Sequence, residues 1–389
     1  MKTLTCLGRV CRIIRYGAMA AVMFACFTWC GVQSAQADPF LDEMVEFNGA
    51  VFYLEHKVPA LVIGVAHNGK MSVRGFGERA GKGSQAPDGD TVMRIGSITK
   101  AFTGEVLAHL ASQNVVRLTQ PLTRSWPELA ARAKADVGHM RLIDLVTHSA
   151  GLPREAPRKP GNEKDPVTLQ TFTDWLNREP LLFGPGKAVH YSNFGFDLLA
   201  HGISRAANKP FPALVSQFIT DPLRMKDTGF VLSAKQKQRF MQGHGFDGEA
   251  WPDAATASVN YGAGGLYSTP NDLLKWMQWH LDRFGQNGAE VRLLDHSLYL
   301  MRDGLATVSG MDESGHMDAM GLGWVAMMPK GDRPFILQKA GGLQGTFSYL
   351  AFAPTRGVAV FIAINKFDFA AAMAMAEVAN DLIATLAPR

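Results

Sequence analysis

Cysteine is scarce in this chain, and where it occurs it is confined: all four, Cys6, Cys11, Cys26 and Cys30, lie within the first 30 of 389 residues. Acid is missing from the same stretch. No Asp or Glu precedes Asp38, whereas Lys2, Arg9, Arg12 and Arg15 do. An apolar run from Gly17 to Val32 follows this basic leader, then Ala35-Gln36-Ala37, a small-x-small cleavage signal. The run is shorter than the roughly 20 residues that cross a bilayer. Residues 1–37 therefore read as a signal peptide, cleaved on export to the periplasm, with the mature chain starting near Asp38. The alternative is a retained anchor, which would tie the protein peripherally to the inner membrane. Trp29 stands before Cys30, where a lipoprotein signal would carry a small residue.

These absences exclude several chemistries. Without its leader the chain has no cysteine, hence no disulfide, thiolate nucleophile or cysteine metal site. The charge balance changes as well. Taking the four leader residues from 39 Lys and Arg leaves 35, against 35 Asp and Glu, so the positive excess belongs to the leader. No nucleic-acid partner is expected. The eleven histidines show no His-x-x-x-His spacing, and no paired-carboxylate spacing accompanies them, so neither metal nor other cofactor is predicted. No Gly-x-Ser-x-Gly occurs, which argues against an α/β-hydrolase. Internal repeats and low-complexity tracts are absent too.

What remains is an ordinary globular composition, 47% hydrophobic and 19% charged, long enough to bury a large core. The N-terminal part reads as sheet: Ala60 to Ala66 and Met71 to Gly75 flank the turn His67-Asn68-Gly69-Lys70, a strong hairpin signal. Near the C-terminus, Gly323 to Met328, Phe335 to Ala340, Thr346 to Phe352 and Gly357 to Ile364 read as strands between Gly- and Pro-bearing turns. The apolar run Phe369 to Leu386 reads as a helix laid on that sheet. Between these ends the pattern is mainly helical, with Leu198 to Ala207, Phe211 to Ile219 and Asn271 to Phe284 at helical spacing, and Pro153 to Pro166 a loop. The fold class is α+β: 38–102 and 293–389 form a sheet domain, and 103–292 an inserted, mainly helical domain.

Three short motifs carry candidate chemistry. Gly96-Ser97-Ile98-Thr99-Lys100 opens a helix, and residues three apart on a helix share a face, so Ser97 and Lys100 project together. Ser97 in the first turn also meets free backbone N–H groups and the positive end of the helix dipole. A serine hydroxyl becomes a useful nucleophile when a neighbour takes its proton. A lysine near its usual pKa of ~10.4 must fall by about three units, roughly 4 kcal/mol, to do so at neutrality. Burial and a second cation would supply that. Alone, the Ser-x-x-Lys pair is more often an idle solvated face.

The second motif is Tyr191-Ser192-Asn193, after the turn Gly184-Pro185-Gly186. A phenol beside two ammonium groups is a candidate proton shuttle to a leaving group, and Asn193 can donate to a substrate carbonyl. Taken singly, a buried tyrosine with a satisfied hydroxyl is the commoner case. The third is Lys339-Ala340-Gly341-Gly342, read at the end of a strand. Glycines there admit a substrate backbone and leave N–H groups free for an oxyanion, with Ser97 N–H as the other donor. Lys339 would be the second cation. Each motif occurs once, in the order nucleophile, tyrosine, lysine-strand, and together they fill the places an acyl-transfer site requires.

On those motifs the chain resembles the serine β-lactamase and penicillin-binding superfamily, on its class C-like branch, through nearly the whole mature length. Thr147 to Pro153, Pro222 to Thr228, Gly264 to Pro270 and Ile364-Asn365-Lys366 extend the likeness. Leu152 to Glu155, Gly321 to Val325 and Gln338 to Gly342 look most like AmpH-type D-alanyl-D-alanine carboxypeptidase/endopeptidases. The resemblance implies an antiparallel sheet flanked by helices, with a helical domain on one side and the site between. It implies Ser97 as acylated nucleophile and Lys100 and Tyr191 as proton-transfer groups. Asn193, Lys339 and Gly341 would orient substrate, Ser97 and Gly342 N–H groups would form the oxyanion hole, and Asn365 would lie near the substrate carboxylate. Peptidoglycan stem peptides and β-lactams are the implied partners. Ala340 departs from relatives that carry Thr or Ser there; one lost charge-assisted hydrogen bond costs about 1.5–3 kcal/mol.

His148 reads as a structural hydrogen-bonding residue, Ser258-Val259-Asn260 as a chance echo of the tyrosine motif, and Trp276, Met277 and Trp279 as helix packing. The rival functions are a class C-like β-lactamase, an esterase on the same scaffold, and a non-catalytic penicillin sensor.

Overall fold

The computed structural model describes residues 38–130, 135–158 and 166–388. The expected signal peptide, residues 1–37, lies outside the described residues, as does part of the 153–166 loop.

The first element is a helix that the sheet-like reading of the N-terminal part did not include. Helix α1, Pro39–His56, starts where Asp38 accepts a hydrogen bond from Leu41 N and Pro39 occupies the first turn. Leu41, Val45, Gly49 and Phe52, spaced four, four and three apart, form its buried stripe. The expected hairpin follows as β1, Ala60–His67, and β2, Lys70–Gly77. Asn68 and Gly69 take φ values of 50° and 80°, the two positive angles of a type I′ turn.

Six further strands complete the main sheet: β3 Leu300–Met301, β4 Ala319–Met320, β5 Val325–Met327, β6 Ile336–Leu343, β7 Thr346–Ala353 and β8 Val358–Ile364. The order is β2-β1-β8-β7-β6-β5-β4-β3, antiparallel at every step. The N-terminal hairpin thus pairs with the last strand, from Leu61 opposite Ile364 to His67 opposite Val358. Strands β3, at the edge, and β4, beside it, are only two residues long, too short to leave an alternating pattern in the sequence.

Both sheet faces are covered, so the central strand β8 is apolar at every position. In β8, Val358, Val360, Ile362 and Ile364 face one core, and Ala359, Phe361 and Ala363 face the other. The first core lies under α1 and α6, Phe369–Leu386, the terminal helix expected from its apolar run. The second meets α2, Thr99–Ser112, and α4, Pro270–Leu281. Two more helices pack against α2: α3, Asn193–Ala207, and α5, Ala289–His296. Helix α3 starts five residues before the apolar periodicity, because Ser192 caps it by accepting from Gly195 N. Helix α4 stops at Leu281, short of Phe284, where Asp282 turns to ψ 78°.

Candidate active site

The nucleophile turn is held from both sides. Residues Gly96–Ile98 form a single 3-10 turn leading into α2. Ile95 N donates to Leu266 O, and Ile95 O accepts from Ser348 Oγ of β7 at 3.1 Å. Gly96 has φ of 50°, and a Cβ there would lie 2.7 Å from Gly342 N. A Cβ on Gly341 would run into Ile95 O and come within 3.0 Å of Ser97 N. Turn and strand therefore touch backbone to backbone, which only glycine permits.

The Lys339-Ala340-Gly341-Gly342 motif lies inside β6 rather than at its end. The strand runs on to Leu343 and turns at Gln344 and Gly345, with φ of 49° and 77°. The expected free edge exists for a different reason. Pairing with β5 stops at Gln338, so beyond it β6 has a partner on one side only. Residues 339–342 present an unpaired edge to the nucleophile.

At the centre, Ser97 Oγ accepts from Tyr191 OH at 2.7 Å and from Lys100 Nζ at 3.1 Å. Lys100 is fully buried, and Nζ donates also to Asn193 Oδ1 at 2.6 Å and Ala263 O at 2.8 Å. An ammonium has three protons, so these three contacts saturate it. The free amine can keep the two shorter contacts and turn its lone pair to Ser97, the longest of the three. Burial is the main force that lowers the Lys100 pKa, to about 7, with Arg154 adding to the fall while Asp197 and Glu155 oppose it. That is the tuning a general base for a serine hydroxyl needs.

Lys339 is buried, and burial pushes its ammonium down as well, aided by Lys100. Its Nζ lies 5.2 Å from the Tyr191 ring centroid, Lys100 Nζ at 4.9 Å and Arg154 Cζ at 4.8 Å. Three cations thus surround one phenol. The structure brings together Ser97, Lys100, Tyr191, Asn193, Lys339, Gly341 and Gly342. It does not bring Asn365 to them. That side chain is fully buried, its Oδ1 accepts from Ala60 N at 2.6 Å and its Nδ2 donates to Gln242 O at 3.0 Å. Both ends of the amide hold backbone, so Asn365 is a structural bracket between β1 and the 242 segment, and it lines neither cavity at Ser97.

Several contributors were not singled out from the sequence. Asp197, one helical turn after Asn193, is buried and accepts from Ala263 N at 2.9 Å and Asn260 Nδ2 at 2.8 Å. It therefore sets the carbonyl that receives Lys100, and gives Asn260 a role that its chance likeness to a motif did not suggest. Burial raises the Asp197 carboxyl. Glu155 Oε1 accepts from Asn193 Nδ2 at 2.5 Å, fixing the amide with its oxygen toward Lys100. The i, i+4 relation of Asn193 and Asp197 was the one local signal for this shell. His148 acts structurally: Nδ1 accepts from Ser192 N at 2.9 Å, and the ring stacks on Tyr191 with centroids 4.6 Å apart. Burial, reinforced by Lys100 and Lys339, holds it neutral.

Two cavities meet at Ser97 and Gly342. One of about 610 Å³ is lined by Glu155, Asn193, Asp197 and Asn260. The other, about 330 Å³, is lined by Arg154, Tyr191, Lys339, Ala340 and Phe347. Nucleophile, base, phenol and backbone edge converge where these spaces join, an arrangement suited to acyl transfer.

Comparison with known proteins agrees with this geometry. A family model described as Beta-lactamase matches residues 37–385. The D-alanyl-D-alanine-carboxypeptidase/endopeptidase AmpH of Escherichia coli K12 is 36% identical over 318 residues, covering 80% of this chain and 81% of that protein. A beta-lactamase of Pseudomonas fluorescens is 24% identical over 333 residues, 80% of this chain and 90% of that one. Among solved structures, a beta-lactamase/D-alanine carboxypeptidase from Yersinia pestis complexed with citrate superimposes with TM-score 0.77 at 33% identity, over 90% of this chain and 99% of that one. A class C beta-lactamase matches at TM-score 0.76 and 18% identity, over 89% and 96% of the two chains, which speaks to fold alone. By family match, relatives and fold, the chain belongs to the Beta-lactamase family and is a serine hydrolase.

Proposed function

We propose that the protein is a periplasmic D-alanyl-D-alanine carboxypeptidase/endopeptidase that cuts peptidoglycan stem peptides through an acyl-enzyme on Ser97. One observation carries the reading: Ser97 Oγ lies within hydrogen-bond reach of a buried lysine and a phenol, beside the unpaired edge of β6. A D-Ala-D-Ala terminus lying along residues 339–342 would extend the sheet by one short strand, its main chain held by free backbone groups. Lys100 takes the Ser97 proton as Oγ attacks the penultimate carbonyl carbon. Ser97 and Gly342 N–H groups stabilise the oxyanion. The peptide C–N bond then breaks, and Tyr191 passes a proton to the departing D-alanine amine. Water, activated by the same groups, hydrolyses the ester and returns Ser97 Oγ–H. A β-lactam would acylate the same hydroxyl by opening its ring. The AmpH likeness supports the peptidase over its rivals, and an apolar leader like 17–32 would deliver or anchor the enzyme outside the inner membrane.

Ala340 favours a second reading. It lines the smaller cavity without a hydroxyl, which weakens the grip on a terminal carboxylate and suits an esterase on the same scaffold; a class C-like β-lactamase would differ instead in how fast its acyl-enzyme is hydrolysed. The deciding experiment measures D-alanine release from a muramyl pentapeptide beside chromogenic cephalosporin turnover. The peptidase reading expects D-alanine release together with a penicillin adduct that is lost in Ser97→Ala. Rapid cephalosporin turnover without D-alanine release overturns it.

A further inference from the structure

Helix α2 carries a second buried polar cluster that the Ser97 chemistry does not use. Glu105, 1% exposed, accepts from Trp276 Nε1 at 2.6 Å. Its carboxylate faces His109 Nε2 at 3.6 Å and His280 Nε2 at 3.5 Å. A carboxylate facing Nε2 of His280 keeps the ring proton there and leaves Nδ1 as a lone pair.

That Nδ1 lies 2.8 Å from His296 Nε2 and 3.8 Å from Asp295 Oδ2. One donor atom from each of the three residues lies within 4.8 Å of the other two. A tetrahedral zinc-like centre with bonds of about 2.0–2.1 Å sets its ligand atoms roughly 3.3 Å apart, a value the two observed separations bracket. Asp295 is fully buried and its Oδ1 has no hydrogen-bond partner among the described residues, although Oδ2 accepts from Trp324 Nε1 at 2.7 Å. An unpaired carboxylate oxygen in such a place is costly, and a cation would relieve it. A cavity of about 380 Å³ reaches His280 and His296 and has room for a water ligand. Arg292 lines it too, but its guanidinium is turned to Gly285 O at 2.5 Å and Asn287 O at 3.0 Å.

We infer that His280, Asp295 and His296 bind a divalent transition-metal ion of the zinc class, with Glu105 orienting His280 and a cavity water as fourth ligand. The ion clamps α4 to α5 and takes no part in acyl transfer, since none of these residues lines the cavities at Ser97. Local spacing hid the site, because its two histidines are 16 residues apart on different helices.

The test uses purified protein freed of metal with a chelator, then titrated with Zn²⁺ and, separately, with Co²⁺. The expected result is one ion per chain, ligand-field absorption in the Co²⁺ form, and Zn²⁺ protection of His296 from carbethoxylation mapped by mass spectrometry. His296→Ala, at the half-buried mouth, and Asp295→Asn weaken binding at least ~10-fold, as does Glu105→Gln, while Ser97→Ala leaves it unchanged. Cooperative melting confirms that each variant is folded; should one not fold, the protection measurement on the unaltered protein decides. Absence of stoichiometric binding, or binding indifferent to His296→Ala with His296 unprotected, overturns the assignment and leaves a proton-sharing network without an ion.

Discussion

Two buried polar clusters hang from one helix, five residues apart, and they are built differently. Around Lys100 the groups that touch it are paired: three acceptors saturate the ammonium, Asp197 receives two donors, and Asn193 is tied at both ends of its amide, while His148 Nε2 and Gln338 Oε1 further out lack hydrogen-bond partners among the described residues. Around Glu105 the pairing is incomplete, since Asp295 Oδ1, His109 Nε2 and His280 Nε2 lack hydrogen-bond partners among the described residues. The first cluster opens onto two cavities at a strand edge; the second sits between helices packed by Trp276 and Trp324. A satisfied network around a reactive group preorganises chemistry. An unpaired carboxylate oxygen beneath a core, as at Asp295 Oδ1, is a group that a bound cation can satisfy.

The largest effect that would sharpen this contrast is Ser97→Ala. It should abolish the penicillin adduct seen by intact mass and lower D-alanine release by at least ~10⁴-fold, without moving the melting temperature much. Lys100→Ala comes next: acylation should slow ~10²–10⁴-fold, because Ser97 loses its proton acceptor. A burst of adduct at the unaltered rate would remove Lys100 from the mechanism. Glu105→Ala tests the other cluster. It strips a buried charge from Trp276, His109 and His280 and should cost about 3–5 kcal/mol of stability, read by chemical denaturation. If instead it left stability alone and changed the pH profile of acylation, the two clusters would be one system.

The pH dependence separates them further. In the proposed mechanism Lys100 acts as the free base, and burial lowers its pKa to about 7. Acylation should therefore fall with decreasing pH, about tenfold per unit below 7, and level off above it. A profile flat between pH 5 and 8 would contradict a lysine base. The smallest expected effect is Ala340→Thr. A hydroxyl in the smaller cavity should tighten carboxylate-bearing peptides by up to ~10-fold in KM, with kcat nearly unchanged. A larger fall in kcat would mean that the added methyl disturbs β6 beside Gly341.

Much of the site was legible because its chemistry sits in short motifs. Ser97 and Lys100 meet through the period of one helix, Tyr191 and Asn193 flank a capping serine, and Lys339 to Gly342 share a strand. The supporting shell was not. Asp197, Glu155 and the Ala263 carbonyl serve Lys100 from distant stretches of chain, and no local period reports such contacts. Asn365 shows the opposite error: a matching tripeptide placed it near substrate, whereas its amide brackets two backbone segments. In the fold, the Asn68-Gly69 turn and the apolar strands of the C-terminal part were readable from side-chain pattern. Helix α1 and the two-residue strands β3 and β4 were not recognised, the first beside stronger strand signals, the others too short for a period to show.

By itself the amino-acid order determined the family, the hairpin, the three motifs that meet at the candidate site and the absence of cysteine chemistry after residue 30. Each is a matter of residue type or of neighbours within one helical turn or one pleat. Tertiary structure alone decided which lysine is buried, where the edge of β6 is left unpaired, and that His280, Asp295 and His296 converge. Those depend on desolvation and on contacts between distant segments, and both arise only when the two sheet faces are covered.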